Sequence, residues 1–232
     1  MKPAREMNPK RRYDEQKQSN SLRVRHVARE RLGHEQLRPG QEEVARALLE
    51  GHDTLAIMAS GWGKSAIYQI VGLLTPGLTV VVSPLIALQQ DQVEAIEERE
   101  IAEAAILNST LGVAEQRQVF DELEHGHLKF LFLAPEQLTK GETLDQLKAA
   151  QPSLFVVDEA HCIAEWGHDF RPDYLRLGSA IEALGHPRVL ALTATASPVV
   201  REEIIERLGL HSPQVIASGK SYKRRPIYLR PN

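Results

Sequence analysis

Residues 54–65 of the chain read Thr-Leu-Ala-Ile-Met-Ala-Ser-Gly-Trp-Gly-Lys-Ser. The first five, 54–58, form a short continuous apolar run, which is typical of a strand that is buried on both faces. The two glycines allow the backbone to approach a bound anion closely, and the residues from Lys64 onward favour a helix. A strand, a glycine-rich turn and a helix in this order predict a phosphate-binding loop, because backbone N–H groups at the start of the helix point at the anion.

The side chains of this stretch suit the binding of ATP and Mg²⁺. Lys64 can reach the β- and γ-phosphates, the Ser65 hydroxyl can bind Mg²⁺, and Gly61 and Gly63 leave room for the phosphates. Trp62 between the glycines is bulky, so its side chain must point to solvent or to a partner. Taken alone, the stretch could also be a chance glycine-rich turn.

Short apolar runs alternate with helical patterns along the rest of the chain. Strands are predicted at 78–83, 104–107, 130–134, 154–158 and 189–193, and helices at 21–32, after Pro39, and at 87–100, 113–125, 143–150 and 198–208. This alternation predicts an α/β fold with a mainly parallel sheet and helices on both of its faces.

An acidic pair follows the predicted strand at 154–158. Asp158 and Glu159 end that strand, and the carboxyl ends of parallel strands face the ligand crevice of an open sheet. Asp158 can hold Mg²⁺, often through water, and Glu159 can orient and deprotonate the attacking water. A solvated acidic pair is the alternative, but the pair and the phosphate loop together favour ATP hydrolysis.

Two neighbouring stretches resemble known helicase motifs. Asp158-Glu159-Ala160-His161 resembles motif II of superfamily 2 helicases, and residues 161–174 (HCIAEWGHDFRPDY) resemble the aromatic-rich loop of the RecQ family. The resemblance covers about residues 21–232 and implies a RecA-like P-loop domain of an ATP-dependent DNA helicase with 3′–5′ polarity. It implies that His161 bridges motif II to motif III. It also implies that Trp166 and Phe170 stack on bases of single-stranded DNA and that Arg171 contacts a phosphate.

Further segments resemble RecQ motifs outside the acidic box. Residues 37–41 (LRPGQ) resemble motif 0, in which Gln41 would read the adenine edge and Arg38 would assist. The family has an aromatic ring four residues before that arginine, and His34 stands there in this chain. Ser83 and Pro84 belong to a motif Ia segment that contacts the DNA backbone, while 134–136 and 193–195 resemble motifs Ib and III.

The resemblance also predicts how the chain is divided. Residues 1–20 are expected to be a disordered basic tail, 21–217 the ATP-binding lobe and 218–232 a basic connector toward a second RecA-like lobe. The motifs of that lobe, including its arginine finger, do not occur in the 232 residues, so the chain alone is expected to be a weak or inactive motor. The family's phosphate loop usually reads Pro-Thr-Gly-Gly-Gly-Lys-Ser, and Trp62 is a departure from it.

Composition narrows the function class less than the motifs do. The net charge of −3 is unevenly distributed: residues 1–31 carry +6, residues 218–232 carry +5, and the residues between them carry −14. Because the middle of the chain is acidic, any surface that binds nucleic acid must be local. The basic ends are either solvated segments or phosphate-binding arms. No apolar run approaches the ~20 residues of a membrane helix. The single cysteine, Cys162, fits a reducing cytoplasm without a disulfide framework.

Several alternatives stay open at this level. An RNA-directed motor of the same superfamily is one, although RNA helicases lack the Trp-Gly-His-Asp-Phe-Arg stretch, and an ATP- and nucleic-acid-binding module without unwinding activity is another. Trp166 and Phe170 could be core aromatics instead of base-stacking residues. Cys162 could act as a nucleophile or, with His168, as a metal ligand, but a buried structural cysteine is favoured.

Overall fold

An eight-stranded sheet lies at the centre of the part of the chain that the structure describes. The computed structural model describes residues 9–165, 169–217 and 220–222. The strands are β1 (Thr54–Ile57), β2 (Thr79–Val82), β3 (Ala104–Leu107), β4 (Phe130–Leu133), β5 (Leu154–Val157), β6 (Arg188–Thr193), β7 (Gln214–Ala217) and β8 (Lys220–Tyr222). Their order across the sheet is β3-β4-β2-β5-β6-β1-β7-β8, with β8 antiparallel to β7 and all other pairs parallel. The predicted α/β fold with a mainly parallel sheet is confirmed.

Eight α-helices cover the two faces of the sheet in the described residues. They are α1 (Pro9–Glu30), α2 (Gln41–Leu49), α3 (Lys64–Leu74), α4 (Ile86–Glu98), α5 (Val113–Glu124), α6 (Gly141–Ala150), α7 (Leu177–Ala183) and α8 (Pro198–Arg207). Helices α1–α4 pack on one face and α5–α8 on the other, so each face of the sheet has its own apolar core. Because all four residues of β1, β2, β4 and β5 are buried, these strands read in the sequence as continuous apolar runs.

The amino-terminal region differs from its prediction. Residues 9–20, expected to be part of a disordered tail, belong to helix α1, which begins at Pro9 rather than at Ser21. Proline at the first helical position and a run of lysine, arginine, glutamate and glutamine favour a helix. Residues 14–19 are mostly exposed, so this part of the helix has no apolar face for a pattern to reveal. Residues 1–8 and most of the predicted connector at 218–232 lie outside the described residues.

Two other elements do not follow from the apolar pattern. Helix α7 has seven residues and contains Gly178, and strand β7 has only two buried residues, Val215 and Ile216. Both are too short to establish a helical or strand period of their own. In the described residues no helix has the length and hydropathy needed to cross a bilayer.

Gly178 permits the close packing of α7 on α8, and its replacement is expected to destabilise the fold. A Cβ at this position would overlap the backbone carbonyl oxygen of Arg207. We expect Gly178→Ala to cost about 1–3 kcal/mol of unfolding free energy, as overpacking against backbone does, although alanine is the better helix former. Gly141→Ala is the matched control, because its Cβ would meet no atom within 4 Å. Urea denaturation of the two variants measures the difference; equal stability of Gly178→Ala and wild type would contradict the contact.

Candidate nucleotide-binding site

The turn between β1 and α3 has the backbone of a phosphate loop. Gly61 and Gly63 have φ angles of +72° and +76°, in the left-handed region where side chains are strained. A Cβ on Gly63 would also lie 2.8 Å from Gln41 Nε2. Helix α3 begins at Lys64, directly after Gly63, as the sequence predicts. The loop therefore requires glycine at both positions, and it ends at a helix amino terminus that suits an anion.

A cavity of about 350 Å³ opens beside this loop at the carboxyl edge of the sheet. It brings together residues from the loop, from helices α3 and α4, and from the segments that follow β2 and β5. The polar residues that line it are Ser60, Lys64, Ser65, Tyr68, Ser83, Gln89, Gln92, Asp158 and Glu159.

Lys64 is a charged residue of this cavity whose ammonium group makes no hydrogen bond. Its Nζ is buried, has no hydrogen-bond partner and lies 3.5 Å from Glu159 Oε1. A buried ammonium that lacks acceptors for its protons is unfavourable. Phosphate oxygens would supply those acceptors, so the residues present fit a nucleotide.

The acidic pair is held in place by a strained turn and a buried tyrosine. Glu159 has a φ of +47°, which is unusual for a residue with a side chain. Its backbone N–H donates to Asp158 Oδ1 at 3.0 Å, and the Tyr174 hydroxyl donates to the Asp158 carbonyl at 2.9 Å. Burial and then the charge of Glu159 raise the pKa of Asp158, while Lys64 opposes that shift. A cation bound here would oppose that shift, because it favours the charged form of the carboxylate.

His161 connects the acidic pair to the end of strand β6. Its Nδ1 lies 3.0 Å from Thr193 Oγ1 and 3.3 Å from Glu159 Oε2. Since the Thr193 hydroxyl donates its own proton to the Thr195 carbonyl at 2.9 Å, it accepts the proton of His161 Nδ1. Segments 158–161 and 193–195 are therefore in direct contact, which is the arrangement that a bridging role for His161 requires.

Comparison with known proteins identifies the family. Residues 38–203 match the family described as DEAD/DEAH box helicase. The chain belongs to the DEAD/DEAH box helicase family. Several curated helicases are similar to it, including the probable ATP-dependent DNA helicase RecS of Bacillus subtilis (46% identity over 86% of this chain and 39% of that protein) and the ATP-dependent DNA helicase RecQ of Pasteurella multocida (45%, 79% and 29%). The resemblance to RecQ helicases is confirmed.

These relatives are much longer than this chain. The chain spans 39% of RecS, 29% of the P. multocida RecQ and 21% of the mouse ATP-dependent DNA helicase Q5, to which it is 42% identical over 207 residues. Among solved structures, the DUF1998 helicase MrfA bound to DNA (TM-score 0.65, 15% identity, 86% of this chain and 28% of that chain) and the Pyrococcus furiosus Hef helicase domain (0.60, 19%, 79% and 38%) share its fold. The fold is thus that of RecA-like helicase domains.

In this helicase domain the segment at 38–41, predicted to read adenine, is hydrogen-bonded to the phosphate loop. Gln41 is only 4% exposed, and its Oε1 accepts from the Arg38 backbone N–H at 2.8 Å. Its Nε2 donates to the carbonyls of Trp62 at 3.0 Å and Gly63 at 2.8 Å. Both amide protons are therefore used by the loop, and one lone pair of Oε1 remains for another donor.

Trp62, the departure from the family pattern, takes part in the same connection. Its Nε1 donates to the Pro39 carbonyl at 3.2 Å, and the Arg38 guanidinium carbon lies 5.8 Å from the centre of its ring. Arg38 also donates from Nη1 to the Gly61 carbonyl. The partner that this bulky side chain needs is thus the segment at 38–39 of the same chain.

His34 is not brought to the phosphate-loop cavity. It is exposed and lines a separate cleft of about 700 Å³ between α1 and the segment at 34–42. Of the three residues expected to read adenine, the structure places Arg38 and Gln41 against the loop and His34 apart from it.

The residues expected to contact DNA fall into three groups. Arg171 is exposed and donates from Nη1 to the Pro84 carbonyl at 3.2 Å, so the aromatic-rich loop meets the motif Ia segment beside half-buried Phe170. Trp166 lies outside the described residues. Ser83 is only 3% exposed, its Oγ has no hydrogen-bond partner, and it lines the nucleotide cavity. The Ser83 side chain therefore faces the nucleotide cavity, and the DNA contact predicted for the segment at 83–84 stays a prediction.

Sequence reasoning missed four residues of the site: Tyr68, Gln89, Gln92 and Tyr174. The Tyr68 hydroxyl donates to Gln92 Oε1 at 2.9 Å, and Gln89 Nε2 donates to the Ser83 carbonyl at 2.8 Å. The spacing of Gln89 and Gln92 places them on one face of α4, which was the one signal available.

Cys162 is buried, and burial raises the pKa of its thiol to about 11. The predicted burial of Cys162 is confirmed, and His168 lies outside the described residues.

Proposed function

We propose that this chain is the ATP-binding RecA-like lobe of an ATP-dependent DNA helicase of the RecQ type. The observation that carries the proposal is the buried Lys64 ammonium, which lacks hydrogen-bond partners and lies within ion-pair distance of Glu159 at the mouth of a phosphate loop. The similar proteins RecQ and helicase Q5 are named ATP-dependent DNA helicases and RecS a probable one, and these names support the same conclusion.

The residues that the sequence predicts for ATP binding and hydrolysis have proposed roles at the cavity. Lys64 and the backbone N–H groups of the loop bind the phosphates, and Ser65 and Asp158 hold Mg²⁺, which supplies neutralisation of the phosphate charge when it is bound. Glu159 accepts the proton of the attacking water. His161 contacts both Glu159 and Thr193, so a movement of the Glu159 side chain is transmitted through His161 to Thr193.

Adenine selection is proposed for the segment at 34–41. One lone pair of Gln41 Oε1 is free to accept a hydrogen bond from the adenine amino group. For Gln41 also to donate to adenine, its Nε2 would have to break a hydrogen bond to a carbonyl of the phosphate loop. Arg38 assists beside it. His34 joins them only if the cleft at α1 closes toward the loop.

The proposed DNA track runs along the carboxyl edge of the sheet. Pro84, Phe170 and Arg171 are adjacent there through the Arg171–Pro84 hydrogen bond, and Trp166 is proposed to stack on bases of the same strand. We propose 3′–5′ movement from the resemblance to RecQ.

The proposed partner of this lobe is a second RecA-like lobe. Within the described residues no arginine lines the nucleotide cavity, so an arginine of the second lobe would complete the neutralisation of the charge on the phosphates of ATP. A cytoplasmic setting fits the unpaired thiol.

Binding of the purified chain to a labelled single-stranded DNA, followed by fluorescence anisotropy at several salt concentrations, tests the proposal. We expect Arg171→Gln to weaken binding and to reduce the slope of log K against log[salt] by about 0.7, the value for one phosphate contact on a single strand. Arg99→Gln removes an exposed arginine at the end of α4, on the opposite edge of the sheet, and is expected to leave both quantities unchanged.

Three outcomes would contradict parts of the proposal. Equal effects of the two substitutions would mean that Arg171 makes no specific phosphate contact. Tighter binding of an RNA of the same sequence would favour an RNA-directed motor. Absence of binding to either nucleic acid would remove the track from this lobe.

A further inference from the structure

A cluster of one carboxylate and two imidazole side chains lies at the edge of the sheet opposite the nucleotide cavity. Asp53, His186 and His211 stand just before strands β1, β6 and β7, and these three strands are neighbours in the sheet. Parallel strands begin at the same edge, so the loops that lead into them converge. The potential metal-binding atoms of the three residues all lie within 4.8 Å of one another.

Asp53 is fixed in position before any ligand arrives. It is 5% exposed, and its Oδ1 accepts from the Val189 backbone N–H at 2.9 Å. Its Oδ2 accepts from the His211 backbone N–H at 2.7 Å and lies 3.0 Å from His186 Nε2. Two backbone donors stabilise the charged carboxylate and orient it toward the histidines.

His186 has the surroundings of a metal-binding histidine. Its Nε2 faces Asp53, and its Nδ1 lies 3.1 Å from Glu182 Oε1 on the other side of the ring. Histidines that bind metals usually donate their second ring N–H to a carboxylate, which fixes the tautomer and makes the binding nitrogen more basic. Glu182 occupies that outer position.

His211 supplies a second imidazole, on an exposed side chain. Its ring is stacked on that of His186, with centroids 3.6 Å apart and planes at 10°, and its side chain is exposed. The lone pair of an imidazole lies in the ring plane, so a shared ion requires the His211 ring to tilt out of the stack. The adjoining cavity of about 580 Å³ gives it room and is lined by Glu182, Glu202 and Glu206, whose charges favour a cation.

We propose that Asp53, His186 and His211 bind a transition-metal ion, best matched by Zn²⁺, with Glu182 as the outer hydrogen-bond acceptor. Two imidazoles and one carboxylate form a donor set that Zn²⁺ accepts with a fourth position left for water. Mg²⁺ prefers oxygen ligands alone and is not expected here. The ion joins the loops before β1, β6 and β7, so it stabilises the sheet at the edge remote from ATP.

Titration calorimetry with Zn²⁺ on chelator-treated, nucleotide-free protein tests the site. Burial lowers the pKa of His186, but the hydrogen bonds with Asp53 and Glu182 outweigh burial and leave that pKa raised. Protons therefore compete with Zn²⁺ for the ring, so the titration is made at about pH 8. We expect one binding event and a Zn²⁺-dependent rise in melting temperature. Because the His211 side chain is exposed, His211→Ala is expected to fold and to lose both the binding event and the Zn²⁺-dependent rise in melting temperature. Glu182→Gln is expected to bind about 10- to 100-fold more weakly.

Two controls separate this site from other zinc-binding groups on the chain. The double variant His125→Ala/His127→Ala removes another pair of stacked histidines, whose centroids are 5.7 Å apart, and Glu159→Gln changes the nucleotide cavity. Both are expected to bind Zn²⁺ like wild type. Absence of binding by the wild type, retention by His211→Ala, or loss in either control would overturn the proposal.

Discussion

Glu159→Gln is expected to slow ATP hydrolysis by about 10²–10⁴-fold while ATP affinity stays close to that of wild type. Glutamine keeps the size and the hydrogen-bonding oxygen of glutamate but cannot accept a proton from water. The position of Glu159, with Oε1 3.5 Å from Lys64 and Oε2 3.3 Å from His161, is compatible with that role. Single-turnover hydrolysis of radiolabelled ATP with Mg²⁺ measures the rate, and titration calorimetry measures the affinity.

Glu98→Gln is the matched control, since it makes the same chemical change at an exposed position near the end of α4. It is expected to hydrolyse ATP at the wild-type rate. Wild-type turnover by Glu159→Gln would show that another group accepts the proton. A loss of affinity as large as the loss of rate would place Glu159 in binding instead of catalysis.

Lys64→Ala is expected to weaken ATP binding by about 10- to 150-fold, because charge-assisted hydrogen bonds contribute about 1.5–3 kcal/mol. The same substitution is expected to leave the unfolding free energy unchanged or higher. In the absence of nucleotide, the Lys64 Nζ is buried without a hydrogen-bond partner, so its removal relieves a desolvation cost. Calorimetry with ATP and urea denaturation of the nucleotide-free protein measure the two effects.

Lys148→Ala, which removes an exposed lysine at the end of α6, is expected to change neither quantity. Equal ATP affinity of Lys64→Ala and wild type would refute the assignment of the phosphate loop. A strongly destabilised Lys64→Ala protein would show that the ion pair with Glu159 supports the fold, contrary to the expectation.

The alternation of apolar runs and helical patterns was sufficient to predict the parallel sheet. Strands that are buried on both faces need apolar residues at every position, so β1, β2, β4 and β5 were evident. Helix α7, strand β7 and the first turns of α1 were not, because they are short or exposed and their stability comes from neighbouring elements or from helix propensity.

The chemistry of the candidate site was also local enough to predict. Glycines with positive φ, a lysine at a helix start and two carboxylates at a strand end are fixed by neighbouring residues in the chain. The sequence therefore predicted Lys64, Ser65, Asp158 and Glu159 as one site, and the structure places all four around one cavity.

The tertiary structure alone decided which distant groups meet. Strand β6 lies between β1 and β5, so its end brings Thr193 against His161 beside the phosphate loop. The packing of the segment at 38–41 on the loop gives Trp62 its partner and uses the amide protons of Gln41. The same packing leaves His34 in another cleft.

At the opposite edge, the order of strands assembled a cluster that no local pattern indicates. Asp53, His186 and His211 are separated by more than a hundred residues from first to last, yet β6, β1 and β7 start side by side. A sequence specifies backbone conformation and side-chain chemistry through neighbours in the chain. Distances between its far parts depend on the order in which buried strands pair, and that order is set by the packing of the whole sheet and its helices.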